Sequence, residues 1–166
     1  MTSVMKLVEF AHDSAGYRDL VRLRDLHLRQ PIGLRLREED LAGEDRHRHF
    51  ALIEDAGVIG GLIAVPLDPV TAKLRQMWIH PDRRGQGCGR ELLSGVESLL
   101  EAEGVTSLVL HARENAAGFY TRNGYHIVGD RFEEVGRPHL RMEKQVALQA
   151  PEKRSEKPAC GSQRDC

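Results

Sequence analysis

Little in this sequence points to a charged polymer or a membrane as its partner. Its 24 basic and 25 acidic side chains nearly cancel, leaving a formal net charge of -1. That balance offers no basic face for nucleic acid, whose phosphates require one. Aromatic residues make up only 5% of the chain, too few for a platform that stacks single-stranded bases. Three cysteines, Cys88, Cys160 and Cys166, make no disulfide framework. No apolar run approaches the roughly 18 residues of a membrane span. The opening MTSVMKLVEF is strand-like and lacks a secretory apolar region. These absences give an expectation of a soluble, cytoplasmic protein with neither nucleic acid nor membrane among its partners.

What is present suits one domain with a real core, since 166 residues can bury one. Val4 to Phe10 reads as a first strand. Ser14 is placed to cap a helix running to about Arg29, stopped by Pro31. Leu36 to Asp45 reads as a short polar helix or loop. HFALIED and GVIGGLIAVPL flank a turn at Asp55–Gly57 and read as a hairpin. Pro66 and Pro69 bracket the next turn, and KLRQMWIH, Lys73 to His80, is a further strand. Leu92, Leu93, Val96, Leu99 and Leu100 then recur at helical spacing. Ser107 to Ala112 is a strand, a short helix ends near Asn123–Gly124, and Tyr125–Val128 and Leu140–Lys144 close the sheet. Three consecutive strands precede the long helix, so a mixed α/β fold with a mixed sheet is expected. The folded domain is expected over residues 1–146. Residues 147–166 are polar and aperiodic and are expected to form a disordered tail.

The stretch RRGQGCGREL, Arg83 to Leu92, reads either as a tight strand-to-helix turn with no ligand or as an anion site, and its two arginines and bare backbone favour the second. Glycines 85, 87 and 89 sit between a strand and the start of a helix. Helix starts present unpaired N–H groups and the positive end of the helix dipole. Bare backbone lets a phosphate approach them, and Arg83 and Arg84 add charge. The ATP-loop spacing is absent because no Lys-Ser/Thr follows, and GQGCG does not meet the dinucleotide spacing. His47 and His49 have a ligand-like spacing but no third ligand nearby, so no metal site is expected.

With its flanks, RRGQGCGREL resembles motif A of the GNAT family of N-acetyltransferases, R/Q-x-x-G-x-G/A, with Arg84, Gly87 and Gly89 in the fixed places. RQMWIHPD resembles that family's fourth strand and NAAGFYTRNGY its C-terminal motif. The run FEEVGRPHLRMEK resembles a set of uncharacterised small members. The resemblance spans about Lys6 to Lys144 and implies the GNAT fold: a central, mixed, mostly antiparallel sheet that splays between strands four and five, flanked by helices. It implies an acetyl-CoA-dependent N-acetyltransferase that moves an acetyl group to a primary amine by direct attack. A noncatalytic acyl-CoA-binding or sensing module on the same fold is the alternative. No metal is implied. The acceptor would be a small-molecule or peptide amine, and homodimers are common among relatives.

The resemblance also implies roles for residues. The backbone of Arg84, Gly85, Gln86, Gly87, Cys88 and Gly89 would hold the pyrophosphate. Met77, Trp78 and Ile79 would pair with the pantetheine arm, and a bulge there would aim an N–H at the thioester oxygen. Asn115 would contact the cofactor arm, cap a helix, or do both. Tyr120 would protonate the leaving thiolate. The amine must lose a proton, and Glu134 and His139 lead the candidates for base, ahead of Glu54, His80 and His111. The acidic run Glu38, Glu39, Asp40, Glu44 and Asp45 would either shape a site for a cationic amine or form a solvated face. Arg24 would either reach the cleft or stay solvated, as arginines usually do.

Overall fold

The computed structural model describes residues 3–55 and 57–146. The expected tail at 147–166 lies outside the described residues. Twelve-residue β3 (Gly57–Asp68) and nine-residue β4 (Thr71–Ile79) form the centre of the sheet. They are flanked by β1 (Met5–Phe10) and β2 (Arg48–Glu54) on one side. On the other side lie β5 (Ser107–Arg113), β8 (Arg137–Gln145) and the two-residue β6 (His126–Ile127). β7 (Phe132–Glu134) pairs with β8 through a turn at Val135–Gly136. The order is β1-β2-β3-β4-β5-β8-β6, antiparallel throughout except for the parallel pair β4–β5. The mixed sheet matches the reading of the sequence. The strand β7 and its tight hairpin differ from it, because a polar three-residue strand leaves no periodic trace.

Helices cover both faces. α2 (Cys88–Ala102) lays Leu92, Leu93, Val96 and Leu100 against Phe50, Leu52, Leu74, Leu108, Leu110 and Met142. α1 (Ala15–Arg24) covers the other face, where Leu20 packs with Ala51 and Trp78. Alternate residues of β2 serve the two layers, as a sheet covered on both sides requires. Ser14 does cap α1, accepting from the Tyr17 amide at 3.1 Å. The regular α-helix ends at Arg24, however, and a π-helical turn (Asp25–Arg29) and a 3₁₀ turn (Gln30–Ile32) carry the chain onward. Pro66 also departs from expectation: it lies within β3, opposite Ala72, and the turn is confined to Pro69–Val70.

Arg24 is not solvated. Its guanidinium reaches Glu44 at 3.1 Å, and the two side chains are 5% and 1% exposed. Tyr17 Oη donates to the same carboxylate at 2.7 Å, and the His49 Nε2 sits 2.9 Å from the Glu44 carbonyl oxygen. This cluster ties α1 to the loop before β2. A buried ion pair contributes little net stability, but removing one partner strands the other. Glu44→Gln keeps the acceptor for Tyr17 and is expected to cost about 3–5 kcal/mol by leaving Arg24 uncompensated. Adding Arg24→Met should recover most of that loss; urea denaturation of the single and double variants checks both.

Candidate active site

The parallel ladder between β4 and β5 ends early. Thr71 to Leu74 pair with Ser107 to Leu110, and the strands then diverge. A bulge accompanies the divergence: Gly61 lies opposite Trp78 and Ile63 opposite Arg75, so β4 holds one residue more than β3. Gln76 takes a left-handed φ of 56° at that point, a conformation uncommon for a residue with a side chain. The extra residue reverses the alternation of β4. Before it, Ala72 and Leu74 face the α2 core. Beyond it, Met77 and Ile79 do, while Trp78 turns to the α1 side and stacks on His27 at 5.0 Å.

A groove of about 890 Å³ follows the α2 side of this strand end. Met77, Trp78 and Ile79 form one wall; Arg84, Gly85, Gly87 and Gly89 form the turn into α2; Phe119, Tyr120 and Arg122 of α3 (Ala117–Arg122) form the other wall. Gly85 and Gly87 have φ of 74° and 85°, and a Cβ at either would meet nothing within 4 Å. Their conformation, not crowding, demands glycine, and the space before them is open. The groove is basic. Arg84, Arg90 and Arg122 line it without an ion pair among the described residues, and Arg84 Nε donates to the Ile79 carbonyl at 3.1 Å. Lys144 is committed to Glu97 at 2.9 Å and to the Asn123 carbonyl at 2.8 Å.

A second cavity, about 490 Å³, enters the gap between β4 and β5 from the side of α1. Met77, Ala116 and Tyr120 line both cavities and therefore mark where they meet. Tyr120 Oη lies 3.5 Å from Met77 Sδ. Burial pushes its phenol up to about 12, so it carries its proton throughout the neutral range. On the wall of the second cavity, His111 Nδ1 lies 2.9 Å from Glu134 Oε1, and His139 Nε2 lies 4.0 Å from Glu134 Oε2. His139 Nδ1 is 2.8 Å from the Arg137 carbonyl oxygen. A carbonyl only accepts, so Nδ1 holds a proton and Nε2 is the nitrogen left able to accept one. By the same reasoning His111 donates from Nδ1 to the carboxylate, freeing its Nε2.

The description of an acetyltransferase (GNAT) domain matches this chain over residues 34–146. The chain belongs to the GNAT acetyltransferase family. YyaT, an uncharacterised protein of Bacillus subtilis, is 40% identical over 77 residues, which are 46% of this chain and 52% of YyaT. The chain thus spans about half the length of the curated relatives it matches. A Lactobacillus plantarum protein provisionally described as an N-acetyltransferase superposes with a TM-score of 0.77 at 26% identity, covering 86% of this chain and 98% of that one. A GNAT acetyltransferase from Elizabethkingia anophelis, solved with acetyl-CoA bound, shares the fold with a TM-score of 0.63 at 16% identity over 86% of this chain and 98% of that one.

Set against the GNAT motifs, the structure brings Met77, Trp78, Ile79, Arg84, Gly85, Gly87, Gly89 and Tyr120 to one groove, and Glu134, His139 and His111 to the adjoining cavity. The side chains of the remaining candidates lie outside these two spaces, which for Gln86 and Cys88 leaves the backbone of the turn. The Gln86 side chain turns back to Arg83 and the Asp82 carbonyl. Cys88 is 1% exposed, with its sulfur 3.7 Å from Met5 Sδ, which is the packing role of a small apolar residue. Asn115 lies in the 3₁₀ turn before α3, exposed, and lines neither cavity; the residue preceding α3 is Ala116, which has no side-chain cap. Glu54 is bound to Arg83 at 2.6 Å, and His80 accepts from the Asp82 amide. Of the acidic run, none lines the second cavity. No group of three His, Cys, Asp or Glu suited to a metal occurs among the described residues, and none of the helices described is long and apolar enough to cross a membrane. The reading of the sequence missed Arg90, Arg122 and Lys144, whose only linear signal was proximity to the two motifs.

The open space before Gly87 can be tested directly. Gly87→Ala adds left-handed strain of about 1–2 kcal/mol and no charge; Gly87→Glu adds the same strain and a carboxylate in the groove. Calorimetric titration with acetyl-CoA is expected to show measurable binding by the first variant and none by the second.

Proposed function

We propose that this chain is an acetyl-CoA-dependent N-acetyltransferase that moves the acetyl group to a primary amine by direct attack. The observation that carries this reading is the meeting of two cavities at Met77, Ala116 and Tyr120, one running to a glycine-lined helix start and the other to a cluster of bases. The groove fits a pyrophosphate: a helix start whose first amides lack helical partners, no side chains in front of Gly85 and Gly87, and arginines alongside that form no ion pair among the described residues. Backbone amides between Arg84 and Gly89 would hold the phosphates. The backbone of Met77 to Ile79, free of β5, would pair with the extended arm in the manner of an added strand.

Acetyl-CoA supplies the reactive thioester; the chain supplies position and protons. An N–H freed by the bulge at Gln76 would stabilise charge developing on the thioester oxygen. Glu134 orients His111 through Nδ1, and the Nε2 of His111 or of His139 accepts the amine proton directly or through water. Tyr120 stands between the two cavities with its proton retained, and would deliver it to the departing sulfur.

The test is chromatographic detection of free CoA from acetyl-CoA across a panel of amines. Release above the background without amine, together with an acetylated product, is the expected result. Binding without release would leave a sensing module. Tyr120→Phe is expected to bind acetyl-CoA with unchanged Kd while the chemical step, read in single turnovers, slows by about 10²-fold or more. Full turnover by that variant would remove Tyr120 from the role.

A further inference from the structure

The second cavity has an uneven charge. Arg29, Lys73, Arg75 and Arg113 line it, against Glu134 as the only carboxylate among the described residues that do so. Glu134 is already engaged with His111 and His139. Among the described residues, none of the four cations forms an ion pair, and the one side-chain hydrogen bond any of them donates runs from Arg113 to the Leu28 carbonyl at 3.0 Å. All four are partly buried. Their common placement follows from the sheet. Ahead of the bulge, Lys73 and Arg75 alternate with the core residues Ala72 and Leu74. Arg113 follows Ala112 on β5, whose Leu108, Leu110 and Ala112 face the α2 core. Arg29 is carried in by the π-helical turn.

Partly buried cations without partners are costly, because burial disfavours charge and like charges repel. Burial depresses the proton affinity of Arg29, and Arg24, Arg113 and Arg75 depress it further, while Asp40 opposes the effect. Asp40 is itself spent on the Arg37 amide. Burial likewise lowers Lys73 and Arg113. A fold that keeps such a cluster on a cavity wall has left it for a ligand to neutralise. Planar guanidinium groups suit carboxylate and phosphate, which they bind through paired hydrogen bonds.

Resting on the transferase reading, we propose that the acceptor amine also carries an anionic group, carboxylate or phosphate, which Arg29, Arg75 and Arg113 bind while the amine faces Tyr120 and the bases. The proposal departs from the cationic amine that the acidic run suggested in the sequence.

Matched pairs provide the test: an α-amino acid and its amide, a dipeptide and its amide, O-phosphoethanolamine and ethanolamine. Free CoA released from acetyl-CoA reads turnover, and calorimetry in the presence of CoA reads binding of the anionic members. The anionic member of a pair is expected to lead in kcat/KM by about tenfold or more, the scale of one charged hydrogen bond. The carboxylate and phosphate pairs separate the two sources of charge. Arg75→Gln and Arg29→Gln should each reduce the preference about tenfold, leave the Kd for acetyl-CoA unchanged, and leave the thermal midpoint unchanged or raised. Arg75→Lys should retain part of the preference. A lowered midpoint in Arg75→Gln would assign that arginine to the fold and overturn its binding role. Neutral members acetylated as fast as anionic ones, or anions that fail to bind, would overturn the anion site while leaving a transferase in place. Anions that bind in an Arg75-dependent way, with no amine acetylated, would uphold the anion site and remove the transferase reading.

Discussion

The divergence of β4 from β5 is the constraint on which the rest depends. Two parallel strands give up their ladder after Leu74 and Leu110, and backbone groups left unpaired inside a protein are costly unless something else satisfies them. Different side chains fill the two faces of the strand end beyond the ladder. Trp78 is pressed so close to β3 that a Cβ on Gly61 would lie 2.5 Å from its indole nitrogen. Met77 and Ile79 pack toward α2 and α3. The bulge at Gln76 divides these duties between faces. Without it, the strand end would present Trp78 to the groove and Met77 to α1.

The linear sequence disclosed the parts whose physics is local. Ser14 caps a helix because its hydroxyl is three residues from the amide it accepts from. The hairpin of β2 and β3 follows from two apolar runs and a turn. The glycine turn announced itself because positive φ confines the choice of residue, and Gly85 and Gly87 both show it. The parts that escaped depend on distance along the chain. The partner of Arg24 is twenty residues on. The bulge that reverses β4 is expected from the family resemblance alone, since KLRQMWIH carries no local signature of it, and the cavity that Lys73 and Arg75 line is completed by residues from distant elements. Gln86 and Cys88 belong to the motif by position, yet a tight turn sends successive side chains in different directions, and these two point away from the groove.

Two arginines five residues apart show how the fold divides its charges. Arg24 is almost fully buried and joined to Glu44 within a cluster that also includes Tyr17. Its role is to join elements. Arg29, one π-helical turn later, is partly exposed and has no ionic partner among the described residues. The first charge is neutralised by the chain itself. The second is left open at a cavity, together with charges from two strands.

That open cluster affects more than the anion it would hold. An ammonium group entering the same cavity meets like charge, and like charge shifts the balance toward the neutral amine. Only the neutral amine has the lone pair that attacks a thioester. The arginines would then act on both ends of one molecule, holding the negative end by attraction and disarming the positive end by repulsion. Recognition and nucleophile activation would draw on a single electrostatic field, and the histidines beside Glu134 would be left a proton already loosened.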